Sequence, residues 1–100
     1  MYAERLLPHD ADAERAVIGS ILIDGQALTR IVSFLKSKDF YQTRTRWCYE
    51  ASVALFDRGE AINQVTLAHE LSLENHLEEM GGPGFLGQLV LEVPTSVHIE

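Results

Sequence analysis

Gly82-Pro83-Gly84-Phe85-Leu86-Gly87 has the spacing G-x-G-x-x-G, with which a glycine-rich turn lets a dinucleotide pyrophosphate approach the backbone. That chemistry needs a strand before the glycines and an acidic residue about 20 positions after them. Here a Glu-rich stretch with helical spacing precedes the motif and no βαβ pattern follows. The glycines therefore read as the stop of one helix and a tight lead-in to the next. Lys36-Ser37 follows Phe34-Leu35 rather than glycine, so it forms no phosphate loop. His9, His69, His76 and His98 share neither i, i+4 spacing nor a cysteine partner, which argues against zinc. No serine sits in a nucleophile elbow, and nothing around Cys48 marks an activated thiol. Glu78 and Glu79 are adjacent, so on a helix they point apart and cannot act as a pair. The residues predict no catalytic, cofactor-binding or metal site.

What the sequence does specify is packing. From Thr43 to Arg58 the apolar residues fit two helical stripes, Cys48, Ala51 and Leu55 on one face and Tyr49, Val53 and Phe56 on another, with Trp47 between them. Charge is concentrated at the ends, apart from Glu50. This pattern predicts a central helix, with Thr43 as N-cap and Gly59 just past its end. Before it, Asp10 is placed to cap a helix whose first turn holds Asp12 and Glu14. Val17 and Ile21 lie on its inner face, and Gly19 marks close approach by another helix. Leu28, Ile31, Val32 and Leu35 predict a second helix from Gln26, and Phe40 with Tyr41 turns back towards the core. The expected core is thus Val17, Ile21, Ile31, Leu35, Phe40, Trp47, Cys48, Tyr49, Ala51, Val53, Leu55 and Phe56.

After Gly59, Asn63 or Thr66 is placed to cap a short helix carrying Leu67, Ala68 and Leu71. Leu73 to Met80 reads as a further helical turn, with Leu77 and Met80 inward and Glu74, Glu78 and Glu79 outward. A last helix carries Phe85, Leu86, Leu89 and Val90 and ends near Val93-Pro94. No strand alternation appears. The class is all-α, a compact orthogonal bundle of about five to six short helices around Thr43–Arg58, preceded by an arm at residues 1–7. Thr95-Ser96 looks like a cap with almost no helix after it, so residues 8–100 are expected to form a domain cut from a longer protein.

Charge divides the chain. Residues 1–58 hold eight basic and eight acidic side chains, and residues 59–100 hold seven acids and no Lys or Arg, giving the net −7. Phosphate backbones are bound by clustered Lys and Arg, so duplex DNA is disfavoured and a basic protein partner is favoured. An acidic face around Glu74, Glu78 and Glu79 would repel its own copy across a two-fold axis, which leaves it for a partner. Phe85, Leu86, Leu89, Val90 and Val93 outnumber one core stripe and are the expected self-association surface. The single cysteine forms no intrachain disulfide and fits a reducing cytoplasmic setting, and no apolar run is long enough to span a membrane.

Several segments together resemble the N-terminal domain of DnaB-type replicative DNA helicases. They are Pro8-His9-Asp10 through Gly19, Asp39-Phe40-Tyr41, Arg46-Trp47-Cys48-Tyr49 with Ala51, and Arg58-Gly59-Glu60 through Leu67. Gly81-Gly82 with Phe85-Leu86, and Val93-Pro94-Thr95-Ser96, follow in the family's order. The chain departs from the family at Thr45 (usually His), Ala61 (Pro), Asn63 (Asp) and Phe85 (Tyr), all positions of packing or capping. The resemblance implies a collar domain of a hexamer arranged as a trimer of dimers, acting with primase, a helicase loader and single-stranded DNA threaded through the full ring. It implies ATP and Mg in a separate motor domain and no cofactor in this one. The alternative is a stand-alone α-helical adaptor, which a Gly-Lys-Thr/Ser loop further along the gene would exclude.

Overall fold

A computed structural model of the chain describes residues 10–93; the arm at residues 1–7, the Pro8-His9 start and the Thr95-Ser96 cap lie outside them. Five α-helices and two short 3-10 turns make up the described residues, with no strand among them. Helix α1, Ala11–Ile23, is capped by Asp10, whose carboxylate accepts from the Ala13 amide at 3.1 Å. A 3-10 turn over Gly25–Ala27 leads into α2, which is only one turn long, Leu28–Ile31. The apolar spacing predicted a longer helix here. The Ser33 hydroxyl donates to the Arg30 carbonyl at 2.8 Å beside β-branched Ile31 and Val32, a local competitor to helix propagation. Leu28 and Leu35 are nevertheless buried.

Between Leu35 and α3 (Thr43–Asp57) the chain has only a 3-10 turn over Ser37–Asp39, and α1 organises it. The Glu14 side chain, on α1 and only 3% exposed, accepts hydrogen bonds from the Tyr41 amide (2.7 Å), the Gln42 amide (3.1 Å) and the Thr45 hydroxyl (2.6 Å). Gln42, not Thr43, is the N-cap residue, and its own side chain makes no cap bond. Glu14 bonds the N-cap amide as the third-position acid of a capping box does, but from another helix. Phe40 and Tyr41 do not both turn inward. The backbone is extended at Phe40, so successive side chains point opposite ways. Phe40 is buried, stacked on Tyr49 at 4.9 Å, whereas Tyr41 is 62% exposed.

Helix α3 buries Thr45, Cys48, Tyr49, Ala51, Ser52 and Leu55 between α1 and α4, Gln64–Leu73. The Tyr49 hydroxyl donates to the Leu35 carbonyl at 2.5 Å. Of the expected core, Ile21, Leu35, Phe40, Cys48, Tyr49, Ala51 and Leu55 are buried. Val17, Ile31, Trp47, Val53 and Phe56 are partly exposed and pack against it. The helix closes with left-handed Gly59 (φ 74°), whose amide donates to Phe56 while that of Glu60 donates to Leu55, a Schellman motif. Asn63 caps α4, accepting from the Val65 and Thr66 amides. Left-handed Asn75 (φ 65°) ends it with the same two-bond closure, so residues 74–81 form turns where the sequence predicted helix.

Helix α5, Pro83–Glu92, lies tightly on α1, which takes most of the residues expected to serve self-association into the domain's own core. Phe85, Leu86, Leu89 and Val93 are buried, and Val90 packs against the core. Helix α5 is covered by α1 on one side and met by α4 on another, and Leu91 is the apolar residue it leaves exposed, at 81%. A Cβ on Gly19 would lie 2.5 Å from the Leu89 carbonyl oxygen and from Val93. Arg15 locks the same pair through Glu92, its Nε and Nη2 donating at 2.8 and 2.7 Å.

Three measurements test this framework. Glu14→Ala removes a cap and strands buried donors, and should cost ~2–4 kcal/mol in a urea melt; a loss below about 1 kcal/mol would sink the capping role. Gly19→Ala should destabilise by ~1–3 kcal/mol through overpacking, whereas Gly87→Ala, whose added Cβ meets Gln64 at an ordinary 3.6 Å, should stabilise by ~0.5–1 kcal/mol. Equal signs for the two would contradict the close α1–α5 seat. Arg15, then Gln88, hold the Glu92 carboxyl at about 2, below its ordinary 4.5. A depressed folded value stabilises above the ordinary range and is lost as pH falls towards about 2. The gap in melting temperature between wild type and Glu92→Gln should therefore narrow from about pH 5 to about pH 2, and a constant gap would rule the linkage out.

Candidate functional site

The chemistry-bearing residues are dispersed by the fold. Gly82 is the N-cap of α5 (φ 81°), Pro83 takes its first position, and Phe85 and Leu86 point into the core. The G-x-G-x-x-G spacing is thus a helix start with no strand before it. Cys48 is buried, and burial pushes its thiol up to about 12, so it stays protonated and unreactive. Among the described residues, no three His, Cys, Asp or Glu side chains gather as a metal-binding group. His9 and His98 lie outside the described residues. No helix among the described residues is long and apolar enough to cross a membrane.

Several basic residues are held by internal partners. Arg15 grips Glu92, Arg44 lies over the Phe85 ring at 4.2 Å, and Arg46 donates to the Phe40 carbonyl. At the end of α3, Arg58 donates to Glu70 at 2.7 Å and to Glu60 at 3.1 Å. These bonds hold the Glu70 carboxyl below its ordinary value, Arg58 being the largest cause. Glu74, one turn along, is held above its ordinary value by burial first and by the Glu70 charge next. Glu74, Glu78 and Glu79 are all exposed, on the turns of residues 74–81. Behind them the His76 ring lies flat on Trp47, centroids 3.8 Å apart and planes at 10°. Its Nδ1 is 3.7 Å from a Glu74 oxygen, and no hydrogen bond reaches it. Sequence reading missed this stack because nothing local links positions 29 residues apart.

A groove of about 530 Å³ opens between the end of α3 and the outer face of α4. Leu55, Arg58, Val65, His69, Glu70 and Leu73 line it. Val65 is 78% and Leu73 64% exposed, and neither was singled out from the sequence. A smaller hollow of about 370 Å³ lies where Leu35, Lys36 and Tyr49 meet Val53. The surface thus offers acid and apolar area side by side.

Comparison with known proteins identifies the family. The family model described as DnaB-like helicase N terminal domain matches residues 6–100. Across all 100 residues the chain is 35% identical to the replicative DNA helicase DnaB of Geobacillus stearothermophilus, covering 22% of that protein. With the replicative DNA helicase DnaC of Bacillus subtilis it is 39% identical over 97 residues, 97% of this chain and 21% of the other. The chain therefore spans about a fifth of the length of these curated relatives. The crystal structure of the N-terminal domain of DnaB helicase from Mycobacterium tuberculosis matches with a TM-score of 0.84 at 35% identity. That match covers 89% of this chain and 62% of the other. On full-length sequence match and on fold, the chain belongs to the family of DnaB-like helicase N-terminal domains.

Proposed function

We propose that this domain serves as the collar of a hexameric, ATP-driven replicative DNA helicase in the cytoplasm. The observation that carries the reading is the match of the chain in sequence to about a fifth of replicative helicases, and in fold to a DnaB N-terminal domain. In this role it supports assembly of the ring as a trimer of dimers, helps shape the passage for single-stranded DNA, and offers docking area to primase and to a loader. ATP and Mg belong to a motor domain elsewhere in the parent protein, and this domain turns over no nucleotide. The acidic turns bearing Glu74, Glu78 and Glu79 face a partner. Assembly contacts draw on surface other than Phe85, Leu86, Leu89 and Val93, which the core holds.

Two preparations test the proposal, the 100-residue chain and its parent protein with and without residues 1–100. The chain alone should show no ATP turnover above background. Removing it from the parent should weaken ring assembly in ultracentrifugation and reduce stimulation by primase. Turnover by the chain that a point mutation abolishes, or a shortened parent that forms rings and engages primase as before, would refute it.

A further inference from the structure

We propose that the groove between the end of α3 and the outer face of α4 docks a basic amphipathic helix of a partner protein. The inference rests on the reading of this chain as a partner-docking domain and names the site and the chemistry that site selects. Val65, His69 and Leu73 recur at i, i+4 and i+8 and form an outward stripe on α4. Eight residues of helix rise about 12 Å, so the two apolar positions sit slightly more than two turns apart. Val65 at 78% and Leu73 at 64% exposure leave large apolar area in water on a short helix whose opposite face, Leu67 and Leu71, is fully buried. Between them and Leu55 lies a groove of about 530 Å³, room for apolar side chains from a second helix laid alongside.

Charge chooses among the occupants. Glu60 and Glu70 stand on the groove wall, and Glu74 follows Glu70 one turn on. Arg58 is the cation there, and its guanidinium is shared between Glu60 and Glu70. Three carboxylates against one guanidinium leave −2, and residues 59–100 hold no Lys or Arg to offset it. A second copy across a two-fold axis would bring this acidic wall against itself, which like-charge repulsion penalises. Nucleic acid and anionic lipid are repelled by the same field. A helix with apolar residues at i and i+7, about 10.5 Å apart, flanked by Lys or Arg, matches both the spacing and the sign.

The probe is a synthetic peptide of about 15 residues, near the length at which a helix becomes marginally stable in water. It carries Leu at i, i+3, i+4 and i+7 and Lys elsewhere. Its controls are the same peptide with Glu for Lys and a scrambled Lys–Leu peptide. Binding to the 100-residue chain is read by fluorescence anisotropy. The Lys peptide should bind, weaken as salt rises, and bind at least about tenfold more weakly, ~1.4 kcal/mol, to the double variant Val65→Ser/Leu73→Ser. Both positions are exposed, so the variant should keep the wild-type unfolding midpoint. Equal binding of the Glu or the scrambled peptide, or unchanged binding to the double variant, would overturn the proposal. So would dimerisation of the chain that the double variant abolishes, since a second copy would then cover the groove. The collar reading fails by a different result, ring assembly without residues 1–100, so the two failures are distinguishable.

Discussion

Burying a carboxylate is costly unless hydrogen bonds replace its water, and Glu14 meets that condition with three donors from one short stretch. Its position therefore dictates the course of residues 41–45. With the Tyr41 and Gln42 amides held, extended backbone turns the Phe40 ring inward onto Tyr49 and the Tyr41 ring outward. Tyr49 in turn anchors the irregular segment through the Leu35 carbonyl. The first turn of α3, its N-terminal direction and the loop before it all follow from one side chain on α1. The positive end of the α3 dipole also faces that carboxyl group, which adds to the stability of the arrangement.

Successive residues on an α-helix point about 100° apart, and α1 uses this to hold two partners with neighbouring side chains. Glu14 reaches α3, and Arg15, the next residue, reaches Glu92 at the end of α5. One turn further, Gly19 lets α5 come close, its missing Cβ leaving room for the Leu89 carbonyl and the Val93 side chain. Helix α1 is thus the joint between the two halves of the chain, although α3 is the helix that carries two apolar stripes in the sequence. The acidic second half packs on the first while leaving Glu74, Glu78 and Glu79 at the surface and pairing buried Glu70 with Arg58.

Local signals were legible and cross-chain signals were not. Asp10, Gly59 and Asn63 mark helix ends in the sequence because capping chemistry involves residues within a few positions. Gly19 was readable as a close contact because a small residue inside an apolar pattern has few other reasons to be there. Glu14 reads locally as an acid suited to its own helix dipole, and nothing nearby reveals that its partners lie 27 to 31 residues away. The apolar residues of Phe85–Val93 show the reverse failure, since periodicity records apolarity but not how many neighbours will cover it. Left-handed Asn75 put turns where Leu77 and Met80 had read as a further helical turn, and the exposed Val65 and Leu73 carried no local mark of a groove. The family became legible through motifs spread along the chain, each short but together in register.

The α1–α5 seat has a mechanical consequence. Arg15 near the start of α1 meets Glu92 at the end of α5, and Gly19 further along meets Leu89, so the two helices run in opposite directions. The first and last described turns consequently lie at the same end of one helix pair. A load drawn across those ends would act in an unzipping geometry, breaking the ion pair before the apolar contacts and opening them in succession rather than shearing them together.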